Sequence, residues 1–172
     1  MTASPYGARI EHGGAADVPL LRDLWVSVHA QHQASMPHLA PYVDDDRTWE
    51  LRSAMYADLL ERADSLLLLA RDDDEVVGYG LAFVSPAQET WLADTWATGA
   101  RVGEIESLAV APTHRGSGIG TRLLEGLHAH LDALGVDDVV IGVLPGNDGA
   151  RRLYERAGYT PTWLYLSRLR GR

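Results

Sequence analysis

The spacing of hydrophobic and polar positions changes several times along the chain, and each change marks an element. "GARIEH", residues 7–12, reads as a short strand. Over residues 16–32, Val18, Leu21, Leu24, Trp25 and Val28 recur at helical spacing. "ASMPHLAPYVDDD" interrupts that stripe with two prolines and three aspartates. Asp46 stands where it would cap a second helix over 47–62. "SLLLLARDDDEVVGYGLAFV", residues 65–84, reads as two strands joined by an acidic turn, a hairpin with a longer-than-minimal loop. Residues 85–101 hold Trp91 and Trp96 and fit either a long loop or strand pieces.

The second half is more regular. "VGEIESLAVAP" is a strand ended by Pro112. Residues 117–134 form an amphipathic helix, with Ile119, Leu123, Leu124, Leu127, Leu131 and Leu134 near a 3.6-residue period. "DDVVIGVLP" is a near-continuous apolar run, as expected of a strand at the centre of a sheet. "NDGARRLYERAG" is a short helix, with Asn147 or Asp148 as cap and Gly158 as its stop. "TPTWLYLSRL" reads as a closing strand. The order strand, helix, helix, three strands, helix, strand, helix, strand predicts a mixed α/β sheet. The strand–helix–strand unit over 102–144 should pair parallel through a right-handed crossover.

Composition narrows the chemistry. A chain of 172 residues fits one domain with a single substantial core. The longest apolar run is "LLLLA", residues 66–70, too short for a bilayer span. "MTASPYGARIEH" shows no basic region followed by an apolar one, so no secretory leader is expected and the cytoplasm is the expected location. The chain has no cysteine, which excludes zinc–thiolate sites and an enzyme thiol that carries the transferred group. A net charge of −9 argues against nucleic acid as partner. All 15 basic residues are arginine, so the folded chain offers no lysine amine.

The informative stretch is "VAPTHRGSGIGTRLLEGL", residues 110–127. A glycine-rich turn between a strand and a helix start is an anion site, because amides there lack internal partners and the helix dipole favours negative charge. A triphosphate loop needs Gly-Lys-Ser/Thr, and lysine is absent. A dinucleotide loop needs G-x-G-x-x-G, whereas Gly116, Gly118 and Gly120 give G-x-G-x-G. That loop also needs an acidic residue ending the next strand, but Asp137 and Asp138 precede it. The remaining ligand is the pyrophosphate of an acyl carrier.

On these residues the sequence resembles the GNAT superfamily of N-acetyltransferases. The family's acetyl-CoA signature is Arg or Gln, two residues, Gly, one residue, then Gly or Ala; Arg115, Gly118 and Gly120 match it. "LAVAP" before the loop and "N…ARRLYERAGY" after it match the flanking blocks, so the likeness covers about 102–160. It implies a single domain over residues 1–172 with a central mixed, largely antiparallel sheet, one splayed parallel strand pair and flanking helices. It also implies that the amides of Arg115, Gly116, Ser117, Gly118, Ile119, Gly120 and Thr121 hold the CoA pyrophosphate. The pantetheine would then bond to Leu108 and Val110, and the Leu108 or Ala109 amide would polarise the acetyl carbonyl. Asn147 matches a position that bonds the pantetheine or nearby backbone, and also suits a helix cap. Arg151 is a candidate for the CoA phosphates or an ordinary surface arginine.

Acetyl transfer to an amine needs a base, a stabilised oxyanion and a proton for the leaving thiolate. Glu104 and Glu106 alternate with Ile105, which should place both on the same face as Leu108. Both align with histidine bases of the family's arylalkylamine members; ion pairing with arginine is the competing role. Tyr154 matches the family tyrosine that protonates the thiolate, and equally sits on an apolar stripe with Ala150, Leu153 and Ala157. His29 and His32 share a helix face without a third ligand, so no metal site is expected. The acidic loop at Asp44, Asp45 and Asp46 lies where the family builds its acceptor cleft, with Trp91 and Trp96 as candidate lining.

The reading is therefore acetyl transfer from acetyl-CoA to a primary amine of a small molecule or peptide, by direct attack in a ternary complex. A non-catalytic acyl-CoA sensor and a nucleotide-binding domain are the alternatives. No membrane partner is expected. Many family members dimerise, which leaves a homodimer open, although no stretch of the sequence reads as a dimer surface.

Overall fold

The computed structural model of the chain describes residues 7–169. Residues 1–6, which carry half of the stretch read for a leader, lie outside the described residues, as do 170–172. Strand β1 (Arg9–Gly13) leads through a 3₁₀ turn (Ala15–Leu21) into helices α1 (Arg22–Ser35) and α2 (Asp45–Leu60). Strands β2 (Leu66–Asp72), β3 (Glu75–Pro86) and β4 (Arg101–Val110) follow. Helix α3 (Ile119–Ala133), strand β5 (Val139–Ile141) and helix α4 (Asp148–Arg156) complete the order. The sheet order is β1-β2-β3-β4-β5. The first three pairings are antiparallel and β4–β5 is parallel.

The two sheet faces carry separate cores. Ile105, Ala82, Leu68 and Ala70 pack on one side with Leu123, Leu124 and Leu127 of α3. Leu67, Leu69, Tyr79 and Leu81 pack on the other with Leu21 and Leu24 around α1 and Tyr56 and Leu59 of α2. Helix α3 lies close against its face. A Cβ at Gly80 would meet Leu127 at 2.9 Å, and one at Gly103 would meet Leu131 at 2.9 Å. These glycines set the depth at which α3 rests over β3 and β4.

Several sequence expectations shift in detail. The helix expected over 16–32 is two pieces, because Pro19 lies in the 3₁₀ turn and lacks an N–H for an α-helical bond. Helix α2 starts earlier than expected, with Asp44 as its cap: the Arg47 amide donates to Asp44 Oδ1 at 2.8 Å. Asp46 instead lies in the first turn and pairs with Arg22 at 2.7 Å. The β2–β3 turn is tight, since Asp72 faces Glu75 and only Asp73 and Asp74 lie between; Asp73 takes φ +51. Residues 85–101 are mostly loop, entered by the end of β3 and a 3₁₀ turn at Ala87–Glu89.

The largest departures lie at the end of the chain. The run 137–145 supplies only three strand residues, half-buried at the sheet edge rather than at its centre. Residues 160–169 are not a strand; Leu164, Tyr165 and Leu166 are exposed. Trp163 packs edge-on against Trp91 and Trp96 instead of joining β5, whose ladder is too short to template a long neighbour. Among the described residues, no helix is long and apolar enough to cross a membrane.

Candidate active site

The site begins where the sheet opens. β5 pairs with β4 only at Gly103, Glu104 and Ile105. β4 continues to Val110, so from Glu106 onward its outer edge faces a gap. The Ala111 amide donates to Val77 O at 2.8 Å, which turns that residue toward β3. By strand alternation Ala109 also faces β3, while the backbone groups of Leu108 and Val110 face the gap. Arg115 Nε donates to Val110 O at 3.2 Å and closes the end of this edge.

Above the gap the chain turns through His114 and the glycines into α3. Gly116 (φ +77) and Gly118 (φ +84) hold left-handed conformations that side chains resist. Gly118 is the N-cap of α3 without a side-chain bond, and no acidic residue stands in the first turn. The Arg115 amide, expected among the ligand-holding groups, instead donates to Pro112 O at 3.5 Å, whereas those of Gly116, Ser117, Gly118, Ile119, Gly120 and Thr121 donate to no group among the described residues. Six successive N–H groups at a helix mouth, with no acidic residue in its first turn, can hold an anion. The loop is tied down behind them: Ser117 Oγ donates to His114 O at 2.5 Å, and His114 Nε2 lies 3.3 Å from Asp72 Oδ2.

Helix α4 supplies the opposite wall. Asn147 caps it, its Oδ1 accepting from the Ala150 amide at 3.3 Å. Gly120 faces Leu153, where a Cβ would meet Cδ2 at 3.4 Å. Tyr154 is buried in the cluster that includes Leu108 and Val110, the gap-facing residues of β4. Among the described residues its hydroxyl has no hydrogen-bond partner, and burial pushes the phenol up to about 12. Arg151 is exposed and bonds Glu155 at 2.7 Å, turned along its own helix.

The carboxylates lie on the other side of β4. The β3–β4 register slips between Leu81 and Ala82, which face Ser107 and Ile105, so Glu106 is the extra residue of a β-bulge. The bulge overturns the expectation that Glu104 and Glu106 share a face with Leu108. Glu106 and Ser107 both turn toward α2, and Leu108 resumes on the α3 side. Arg52 pairs with Glu106, and Tyr56, one helical turn on, bonds Ser107 Oγ at 2.5 Å and Tyr79 OH at 3.0 Å. The Arg52 guanidinium lies 3.8 Å over the Trp25 ring. Glu104 is raised by burial, then by Glu106, against a smaller opposing effect of Arg62.

Arg52, Trp25, Tyr56 and Ser107 were not candidates from the sequence. The spacing of Arg52 and Tyr56 on one helix stripe was the available signal, but nothing local tied that stripe to residues some fifty positions later. The other candidates disperse. His29 is buried and bonds Val43 O at 3.0 Å, and His32 sits edge-on to Trp25. Among the described residues no three His, Asp or Glu side chains group to hold a metal. Trp91 and Trp96 meet edge-on with each other and with Trp163.

A family model for the acetyltransferase (GNAT) family matches residues 25–159, most of the chain, including β4, the glycine turn and α4. The chain belongs to that family. A mycothiol acetyltransferase of Beutenbergia cavernae is 33% identical over 160 residues, covering 93% of this chain and 48% of that protein. One of Salinispora tropica is 35% identical over 131 residues, covering 69% and 42%. The chain thus spans about half the length of these curated relatives. Among solved structures, the tetramutant of the BH1408 protein from Bacillus halodurans superposes with a TM-score of 0.75 at 21% identity, over 94% of this chain and 99% of that one. At that identity the likeness speaks for the GNAT fold alone.

Proposed function

We propose that this GNAT protein is a single domain that transfers the acetyl group of acetyl-CoA to a primary amine of a small molecule or peptide, by direct attack in a ternary complex. The observation that carries this reading is the open edge of β4 leading to six unpartnered amides. It has the shape and charge preference of a chain ending in a pyrophosphate. Acetyl-CoA, when bound, supplies the activated thioester and the thiolate that leaves. The protein's residues do the rest.

The amides of Gly116 to Thr121 grip the diphosphate, and Leu108 and Val110 pair with the amide groups of the arm. The Leu108 N–H, facing the gap, polarises the acetyl carbonyl. On the α2 side, Glu106 or Glu104 takes the proton from the amine as its nitrogen bonds the acetyl carbon. Tyr154 gives its phenolic proton to the sulfur as the C–S bond breaks. A phenol at about 12 keeps that proton at neutral pH. Two carboxylates on the acceptor side and a net charge of −9 favour a cationic amine. The name of these relatives, mycothiol acetyltransferase, also points to transfer onto a small molecule, although they are about twice as long.

The test is calorimetry with acetyl-CoA, followed by thiol release across a panel of amines. Binding plus amine-dependent CoA release is expected. Binding without release would make the protein an acyl-CoA sensor, and absence of binding would end the reading.

A further inference from the structure

The two carboxylates on the α2 side of β4 have unlike surroundings. Glu106 is paired with Arg52, and the two side chains are only 19% and 25% exposed. Arg52 is held on further sides, 3.8 Å over Trp25 and 5.7 Å from the centre of the Tyr56 ring. Trp25 is pinned in turn, its indole N–H donating to Thr48 Oγ1 at 3.1 Å. Thr48, Arg52 and Tyr56 recur every fourth residue, so one stripe of α2 clamps the bulge. Glu104 has no ion pair or hydrogen bond among the described residues.

We propose that Arg52 is a positioning residue of the acceptor cleft: it holds Glu106 as a fixed anion that orients the incoming ammonium, and so leaves proton removal to Glu104. The inference rests on the acetyl-transfer reading and refines it. The Glu106 carboxylate is already engaged by the Arg52 guanidinium, whereas the Glu104 carboxylate has no hydrogen-bond partner among the described residues and is open to the amine. The paired Glu106 still has a free lone pair to accept an amine N–H. The ammonium first releases one proton to bulk water; in the step itself, an amine proton moves from nitrogen to a Glu104 oxygen, the electron pair on nitrogen forms the N–C bond, and the C–S pair leaves on the sulfur, which takes its proton from Tyr154. The charges around Glu104 agree. Glu106 adjoins it on β4, and Arg62, which lies over the Phe83 ring, approaches from the end of α2. His32, beside Trp25 on α1, is lowered by burial, then by His29 and Arg52, so it stays neutral and adds no cation.

The experiment follows the Glu104 carboxyl carbon by NMR through a pH titration of the full chain, which needs no acceptor. Arg52→Met should move the Glu104 midpoint up, because the Glu106 charge is then unopposed. Glu106→Gln should move it down, and Arg52→Lys should keep it near the starting value, since one charge suffices. A midpoint that ignores Arg52→Met overturns the proposal; if that variant does not fold, Arg52→Gln, which removes the charge but keeps a hydrogen-bonding side chain, decides in the same way. With the best amine of the panel, Glu104→Gln should cost about 100-fold in kcat/KM. Arg52→Met and Glu106→Gln should raise KM for the amine more than they lower kcat. Turnover that survives Glu104→Gln but not Glu106→Gln also overturns it. If the unaltered protein releases no CoA with any amine, the acetyl-transfer reading fails by itself, and with it the roles given to Glu104 and Glu106, whereas the titration failing alone removes only Arg52.

Discussion

The two sides of β4 are built from different material. Toward the gap and α3 the chain offers main-chain groups: the Leu108 and Val110 edge and the amides from Gly116 to Thr121. Toward α1 and α2 it offers side chains: Glu104, Glu106, Arg52, Tyr56 and Trp25. A main-chain site is made by conformation, so it depends on residues that permit unusual φ and hardly on chemical identity. A side-chain site is made by contacts between elements distant in sequence. The first suits a coenzyme common to a family, and the second is where one member differs from another.

The sharpest break of this comparison comes at Tyr154, a side chain buried on the gap side of β4. Tyr154→Phe should lower kcat about 100-fold, in the range for loss of a general acid. Affinity for acetyl-CoA by calorimetry should stay nearly constant, because the ring and its packing remain. Equal turnover in the variant would make Tyr154 a core aromatic only, and the coenzyme side would be wholly main chain.

The next test asks whether conformation alone makes the coenzyme side. A Cβ at Gly118 would meet nothing within 4 Å, so its requirement is the φ of +84 and not space. Gly118→Ala should cost about 1–2 kcal/mol in the left-handed region, roughly tenfold in acetyl-CoA affinity if the loop relaxes in the free protein. Gly120→Ala should change affinity little, since the added carbon meets Leu153 at an ordinary 3.4 Å. Equal losses at both positions would mean that steric access, rather than backbone conformation, matters.

This division explains what could be read in advance. The glycine turn, the α3 stripe and the Asn147 and Gly158 helix boundaries are local signals, and each lies where the sequence put it. The bulge at Glu106 has no local signal, because it exists only as a slip between β3 and β4. It reversed the expected relation of the carboxylates to Leu108. Arg52 could not be paired with Glu106 before the fold was known. The pattern of 160–169 suited a strand, but a strand needs a partner, and β5 ends at Ile141.

A smaller effect tests whether one residue serves both materials. Asn147→Ala should cost about 1 kcal/mol of stability through the lost cap of α4. Its amide N–H₂ is not used in capping. A parallel loss of acetyl-CoA affinity would show that the side chain also reaches the arm, whereas unchanged affinity would confine Asn147 to the helix.

The smallest expected effect separates the chemistry of Glu104 from its contribution to the fold. Its folded-state value lies above the ordinary carboxylate one of the unfolded chain, from burial first and Glu106 second. Between those two values the native protein binds more protons than the unfolded chain, so stability falls as pH rises through that window. Above it, the charged Glu104 is a standing cost, reduced by its partial exposure. Glu104→Gln should therefore melt slightly higher than the unaltered protein at neutral pH, and the difference should vanish on acidification below the window. The same substitution should abolish most turnover. A variant that loses activity and stability together would mean that Glu104 holds β4 in place and is not a base kept at the fold's expense.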